Sequence, residues 1–228
     1  MTPDGDETDV PDFHRDPARV RAVYDEIADH FAKTRAYPWP EVEEFLDGLE
    51  PGERAVGLDL GCGNGRHAAP LAEAVERVLA VDVSRELLFE AGGRMERDGW
   101  NASLVQGDAA RLPIATDAVD AAVYVATLHH LPDRETRVES LDELARVLAP
   151  GGRALVSAWS TAHDRFDAAE AEAGFDTTVE WTLPGGEAVE RFYHIYAPAE
   201  FEADLAASDL SVERSFLSSG NCYAVVRG

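Results

Sequence analysis

Lysine is nearly missing from this 228-residue chain: Lys33 is the only one, and every other basic residue is arginine. Basic residues of either kind are scarce, 20 against 44 carboxylates, for a formal net charge of −24. The carboxylates are spread along the whole chain rather than gathered in one block. That pattern reads as the surface of a halophilic, salt-adapted protein more than as an acidic docking patch. Charge alone therefore neither admits nor excludes nucleic acid, because strong salt screens long-range attraction to phosphate. Cysteine is scarce too. Cys62 and Cys222 are far apart, which makes neither a disulfide framework nor a zinc site, so no metal is expected. No apolar run reaches the roughly 20 residues that span a bilayer, and no secretory signal opens the chain. The expectation is a soluble, cytoplasmic protein with no membrane partner.

What is present suffices for one buried core, with 45% apolar residues. Residues 1–12, with five carboxylates, two prolines and no basic residue, read as a disordered acidic tail. Residues 13–228 then form a single domain. Val20, Val23, Tyr24, Ile27 and Phe31 recur at helical spacing, and Pro17 suits the first turn of that helix. Pro38-Trp39-Pro40 breaks it, and a short helix follows to about Leu49. From Ala55 apolar runs alternate with amphipathic stretches. Strands are expected at 55–60, 77–83, 102–106, 118–126 and 153–159, and helices at 66–75, from Ser84 (whose hydroxyl can cap it) and at 136–148. This alternation predicts a parallel sheet with helices on both faces. Beyond it, 177–183 and 188–196 flank Pro184-Gly185-Gly186 as an inserted hairpin. A helix is expected over 198–208, and 211–217 with 223–227 form a closing hairpin.

The chemistry is carried by Leu58-Asp59-Leu60-Gly61-Cys62-Gly63-Asn64-Gly65, a G-x-G-x-G loop between a strand and a helix. Glycine is required where the chain turns sharply out of a strand and where backbone must approach a ligand. The helix beyond presents free N–H groups and the positive end of its dipole. Asp82 follows 17 residues after Gly65, at the end of the second strand, where a carboxylate can accept from two ribose hydroxyls. Asp108 follows the third strand, placed to meet an adenine amino group. The dinucleotide fingerprint is G-x-G-x-x-G, and here the third glycine arrives one residue early. Asp59, just before the loop, can hold both the loop and a ligand ammonium group.

Asp59 through Gly65, Asp82, Gly107-Asp108-Ala109 and Leu148-Ala149-Pro150-Gly151-Gly152 together resemble class I S-adenosylmethionine-dependent methyltransferases. The resemblance implies a Rossmann-like fold with a mostly parallel seven-stranded sheet and N-terminal lid helices. It also implies S-adenosylmethionine as cofactor, with Gly61, Gly63, Asn64, Gly65, Asp82, Asp108, the Ala109 amide and Val125 lining its site. Four flanking segments narrow the likeness: Val23 to Phe31, Thr34 to Pro40, Leu128-His129-His130 and Glu190 to Tyr196. They look like the eukaryotic tRNA wobble-uridine carboxymethyl methyltransferases. That family esterifies the carboxylate of 5-carboxymethyluridine and works with a small zinc-binding activator protein. A heterodimer through the third-strand edge, 102–106, is thus expected, with tRNA as substrate and no DNA partner.

A carboxylate acceptor is already ionised at neutral pH, so the site needs a cation to orient it rather than a strong base. Arg35 and Arg191 are the candidates, since a guanidinium grips a carboxylate with two N–H groups. His129 and His130 follow the fourth strand, where they can hydrogen-bond the acceptor; of the two, His130 is the favoured contact. Arg15, Arg19, Arg21 and Arg35 form a modest basic footprint on or beside the N-terminal helix. Two other readings share the cofactor loop: a small-molecule methyltransferase with an apolar acceptor pocket, for a quinone or carboxylic acid, and a non-catalytic cofactor-binding subunit.

Overall fold

The computed structural model describes residues 10–50, 52, 55–166, 168 and 171–228. Strand and helix alternate as the apolar pattern requires. β1 (Val56–Leu60), β2 (Arg77–Asp82), β3 (Ser103–Gln106), β4 (Val119–Val125) and β5 (Leu148–Trp159) pair in parallel. The closing hairpin, β8 (Ser211–Ser218) and β9 (Asn221–Arg227), adds antiparallel to β5. The order β3-β2-β1-β4-β5-β9-β8 makes one seven-stranded sheet. The order of strand addition reverses between the parallel strands β1 and β4, so a crevice opens at their carboxyl ends, the usual ligand position in such sheets.

Both faces are covered. Leu58, Tyr124, Leu141, Val156 and Tyr196 belong to one fully buried cluster, and Val42, Leu71, Ala80, Val123 and Tyr223 to the other. Tyr124 shows how burial is reconciled with polarity. Ser140 Oγ gives its one hydrogen to the Ala109 carbonyl at 2.9 Å, so the Tyr124 hydroxyl donates to Ser140 at 2.8 Å. That relay fixes the segment after β3.

The helices are α1 (Asp12–Arg15), α2 (Pro17–Thr34), α3 (Pro40–Asp47), α4 (Ala68–Ala74), α5 (Arg85–Asp98), α6 (Arg134–Val147) and α7 (Pro198–Ala207). Pro17 occupies the first turn of α2, and Ser84 Oγ accepts from Leu87 N at the start of α5, both as the sequence indicates. α2 lies over the crevice and is fastened at its middle and at its C-terminal end. Asp25 accepts from the Ser84 hydroxyl and the Glu86 amide. The carbonyls at the far end of α2 accept from Asn64 (Ala32 and Arg35) and Arg94 (Arg35 and Ala36).

Two expectations need correction, and the inserted hairpin is present as expected. The tail was drawn to residue 12; residues 1–9 lie outside the described residues, but Val10 is buried and Asp12 already opens α1. His14 and Arg15 explain this, for they pair with Glu190 and Asp176 of the inserted hairpin. The fifth strand begins at Leu148, not Arg153, because Leu148 already pairs with Val119 across an irregular step. The inserted hairpin, β6 (Phe175–Thr182) and β7 (Ala188–Ile195), forms its own two-stranded sheet beside the main one.

Candidate active site

Gly61, Gly63 and Gly65 all have positive φ, 72°, 53° and 75°, so the turn out of β1 depends on glycine at each. Their surroundings differ. A Cβ on Gly61 would strike Thr127, and one on Gly65 would lie 2.6 Å from the Trp100 ring. A Cβ on Gly63 would meet only Phe31, at 3.8 Å, and would stand in the crevice. Gly63 thus leaves a cradle beside Asp82, whose Oδ2 accepts from the Gly63 amide and whose Oδ1 accepts from the Ser84 amide, both at 2.8 Å. A ribose fits this place: the missing side chain gives it room, and the carboxylate lone pairs left over accept its hydroxyls.

The crevice encloses about 1260 Å³, part of it open to solvent. Gly61, Gly63, Asn64, Asp82, Asp108, Ala109 and Val125 line it, as do Arg35, His129, His130 and Arg191. Residues from six separate sequence segments therefore meet in one cavity. Asp59 and Gly65 do not line it. Gly65 serves the packing of Trp100, and the side-chain amide of Asn64 is spent on the α2 carbonyls.

Asp59 lies beneath the loop, 1% exposed, and its Oδ2 has no hydrogen-bond partner. Burial, reinforced by the Asp82 carboxylate, pushes its pKa up to about 7. Asp82 is raised to about 6, again chiefly by burial. Two desolvated carboxylates held side by side are what a cationic ligand relieves, and the ammonium and sulfonium of S-adenosylmethionine are such cations. The donor set and the space both fit that cofactor.

Ala126 has φ +56°, uncommon without glycine, and this turn swings the chain from β4 into a 3₁₀ turn, Leu128–His130, over the cavity. The two histidines differ in what they can do. His130 Nδ1 is 2.8 Å from the Phe192 carbonyl, which can only accept, so Nδ1 carries the proton. Nε2 then accepts from the Tyr24 hydroxyl at 2.7 Å. Both nitrogens are engaged, and burial lowers the pKa to about 3. His129 Nδ1 accepts from the Trp159 amide at 3.0 Å, so its proton lies on Nε2, which makes no hydrogen bond among the described residues. Burial holds this ring neutral as well. His129 Nε2–H is thus a free donor on the cavity wall, whereas both ring nitrogens of His130 are engaged.

Arg35 lies against Phe31 and Trp181, and Arg191 against Trp181 and Tyr193. Arg66, which sequence reasoning missed, covers Trp39. Its position directly after Gly65 was the available signal. No carboxylate oxygen of the described residues comes within 4 Å of any of the three guanidinium groups, although all three line the cavity. Burial and the nearby Arg35 lower Arg66 to about 10. Tyr24, Trp159 and Tyr193 complete the aromatic wall.

No described helix is long and apolar enough to cross a membrane, and no cluster of metal-ligating side chains occurs among the described residues. A family model described as a methyltransferase domain matches residues 58–152. The tRNA (carboxymethyluridine(34)-5-O)-methyltransferase ALKBH8 of Mus musculus is 37% identical over 146 residues, 62% of this chain but only 20% of that protein. The tRNA (carboxymethyluridine(34)-5-O)-methyltransferase of Schizosaccharomyces pombe is 29% identical over 79% of this chain and 83% of its own length. A protein named as a methyltransferase in Encephalitozoon cuniculi is 32% identical over 78% of this chain and 80% of its own. In shape, the chain matches a solved structure of the Haloferax volcanii Trm112 methyltransferase activator in complex with a methyltransferase. The TM-score is 0.65 at 19% identity, covering 91% of this chain and 96% of that one.

Proposed function

Since the chain belongs to the S-adenosylmethionine-dependent methyltransferases, we propose that its acceptor is the carboxylate of a 5-carboxymethyluridine-type wobble base in tRNA. The observation that carries this reading is the set Arg35, Arg66 and Arg191. In a chain of net charge −24, three guanidinium groups meet at the cofactor cavity with no carboxylate oxygen of the described residues within 4 Å, and only Arg66 feels a nearby buried acid, Asp59. Their partner is an anion from outside, and the relatives named for carboxymethyluridine supply its chemistry.

The cofactor supplies an electrophilic methyl group on sulfur. Asp82 and the Gly63 cradle orient its ribose, and Asp59 compensates its charge from beneath the loop. Arg35 and Arg191, stacked on aromatic rings and so confined, hold the acceptor carboxylate in line. His129 Nε2–H donates to the acceptor, not as a base but as a fixed dipole. No proton need be removed from an ionised carboxylate. The aromatic wall excludes water, which strengthens each of these interactions.

The partner in this reading is a small activator bound at β3. β3 is an outermost strand, four residues without a charge, whereas the other edge, β8, carries Glu213 and Arg214 and an irregular register. An uncharged edge invites strand addition, and a charged, bulged one resists it. Co-expression should yield a one-to-one complex; a stable, monodisperse chain that ignores the activator would overturn this part.

Mass spectrometry of tRNA nucleosides from a strain lacking the gene tests the reaction. Loss of the wobble-uridine methyl ester, with the free carboxymethyl base accumulating, is expected. Unchanged ester would sink the tRNA reading and return a free carboxylic acid as the acceptor.

A further inference from the structure

The chain is short of cations, and it spends most of them on carboxylates. Arg15, Arg94, Arg97, Arg134, Arg146, Arg153 and others each have a carboxylate oxygen within 4 Å. The exceptions are not scattered. Besides the cavity trio, Arg19, Arg85 and Arg111 have no such partner among the described residues. Arg19 sits between the cavity-lining Pro17 and Val20, Arg85 follows Val83 by two residues, and Arg111 follows Ala109 by two. Each thus lies within two residues of a cavity-lining position, just beyond the carboxyl ends of β2 and β3 or in the first turn of α2. Arg77 and Arg165 are also unpaired, but Arg77 lies at the opposite end of β2.

Several carboxylate oxygens near this rim are engaged by groups other than these arginines, Glu143 near Arg111 by Arg146. Asp25 Oδ1 is taken up by the Ser84 hydroxyl and the Glu86 amide, and Asp108 Oδ1 by the Ala110 amide. Arg85 and Arg111 are exposed, and the Nε of Arg19 is buried without a partner. With 44 carboxylates in the chain, cations left free on one rim are positions where a neutralising acid would obstruct a ligand.

We propose that Arg19, Arg85 and Arg111 form a phosphate track that receives the RNA backbone flanking the base held in the cavity. The proposal rests on the tRNA reading above. Arginine suits the task, because its fork holds two phosphate oxygens and its charge persists in the low-lysine setting of this chain. The track also explains how a strongly acidic protein approaches a polyanion: attraction is confined to one rim, close enough to escape screening.

The test is tRNA isolated from a strain lacking the gene, bound to the chain across a salt series, with fluorescence anisotropy as readout. The variants are Arg85→Gln with Arg111→Gln, and Arg77→Gln as control. The double variant is expected to bind about tenfold more weakly at low salt, with the slope of log affinity against log salt reduced by roughly one to two, while cofactor affinity stays unchanged. The control should match the parent chain. Equal weakening by Arg77→Gln, or normal binding by the double variant in a chain that still methylates tRNA, would overturn the track alone. A parent chain that neither binds nor methylates tRNA would overturn the substrate reading as well.

Discussion

The Tyr24 hydroxyl donates to Nε2 of His130 at 2.7 Å, because the other ring nitrogen is already committed to the Phe192 carbonyl. One histidine thus ties the lid helix α2 to the inserted hairpin across the cavity. Replacing Tyr24 with phenylalanine removes the donor and leaves a buried acceptor unsatisfied, a loss of roughly 1–3 kcal/mol. Urea unfolding should show it, and turnover should fall more than cofactor affinity, since the bond holds the acceptor side of the cavity.

His129 and His130 should separate on substitution. His129→Ala removes a free donor facing the acceptor, and turnover should drop about 10–100-fold with cofactor affinity nearly intact, beside a stability loss of roughly 1–3 kcal/mol from the orphaned Trp159 amide. His130→Ala should lose stability along with activity, because it breaks two hydrogen bonds. Steady-state kinetics beside thermal melts distinguish them. A folded, inactive His130→Ala with a fully active His129→Ala would reverse the assignment.

Two glycines of one loop should fail differently. Gly63→Ala needs only a left-handed alanine, about 1 kcal/mol, but its methyl occupies the cradle, so cofactor affinity should fall by at least roughly tenfold. Gly65→Ala adds a collision with Trp100 and should cost about 2–4 kcal/mol of folding free energy. Calorimetric binding and melting temperature on each variant check both halves.

Cofactor affinity should rise with pH. Asp82 and Asp59 have folded pKa values near 6 and 7, above the ordinary 3.8. In the free protein their stabilising contribution is complete below about pH 4 and is lost as pH climbs through those values. A cationic ligand favours the ionised carboxylates, so binding below pH 7 releases protons. Titration calorimetry in buffers of different ionisation heat should register that release. Affinity independent of pH between about 5 and 8 would refute it, and Asp59→Asn should flatten the upper part of the curve.

His194 should set a different window. It lies between Asp176, 2.7 Å from Nδ1, and Glu200, 3.0 Å from Nε2. Despite burial, these acids raise its pKa and are themselves lowered. The imidazolium contribution is full below about 6.5 and fades as pH rises through the raised value, while that of the acids is present above about 4.5 and fades as pH falls. The urea midpoint of His194→Gln should therefore differ most from the parent between those limits, and converge with it on either side.

Much of this was legible in the chain. The Ser84 cap, Pro17 in the first turn, the glycine loop and Asp82 are local signals, readable because each answers a backbone requirement a few residues away. The end of the tail was not, since Val10 is buried and His14 is held by a hairpin that lies far along the chain. Arg66 was passed over although it directly follows Gly65, because the lack of a carboxylate within 4 Å shows only in three dimensions.

The sequence by itself determined the alternation of strand and helix, the turn geometry after β1 and the acids that follow β2 and β3. These follow from periodicity and from glycine's lack of a Cβ. Only tertiary structure decided which histidine has a nitrogen to spare. That choice is made by the Trp159 amide and the Phe192 carbonyl, 30 and 62 residues distant, and a proton on an imidazole settles according to the dipoles packed against it.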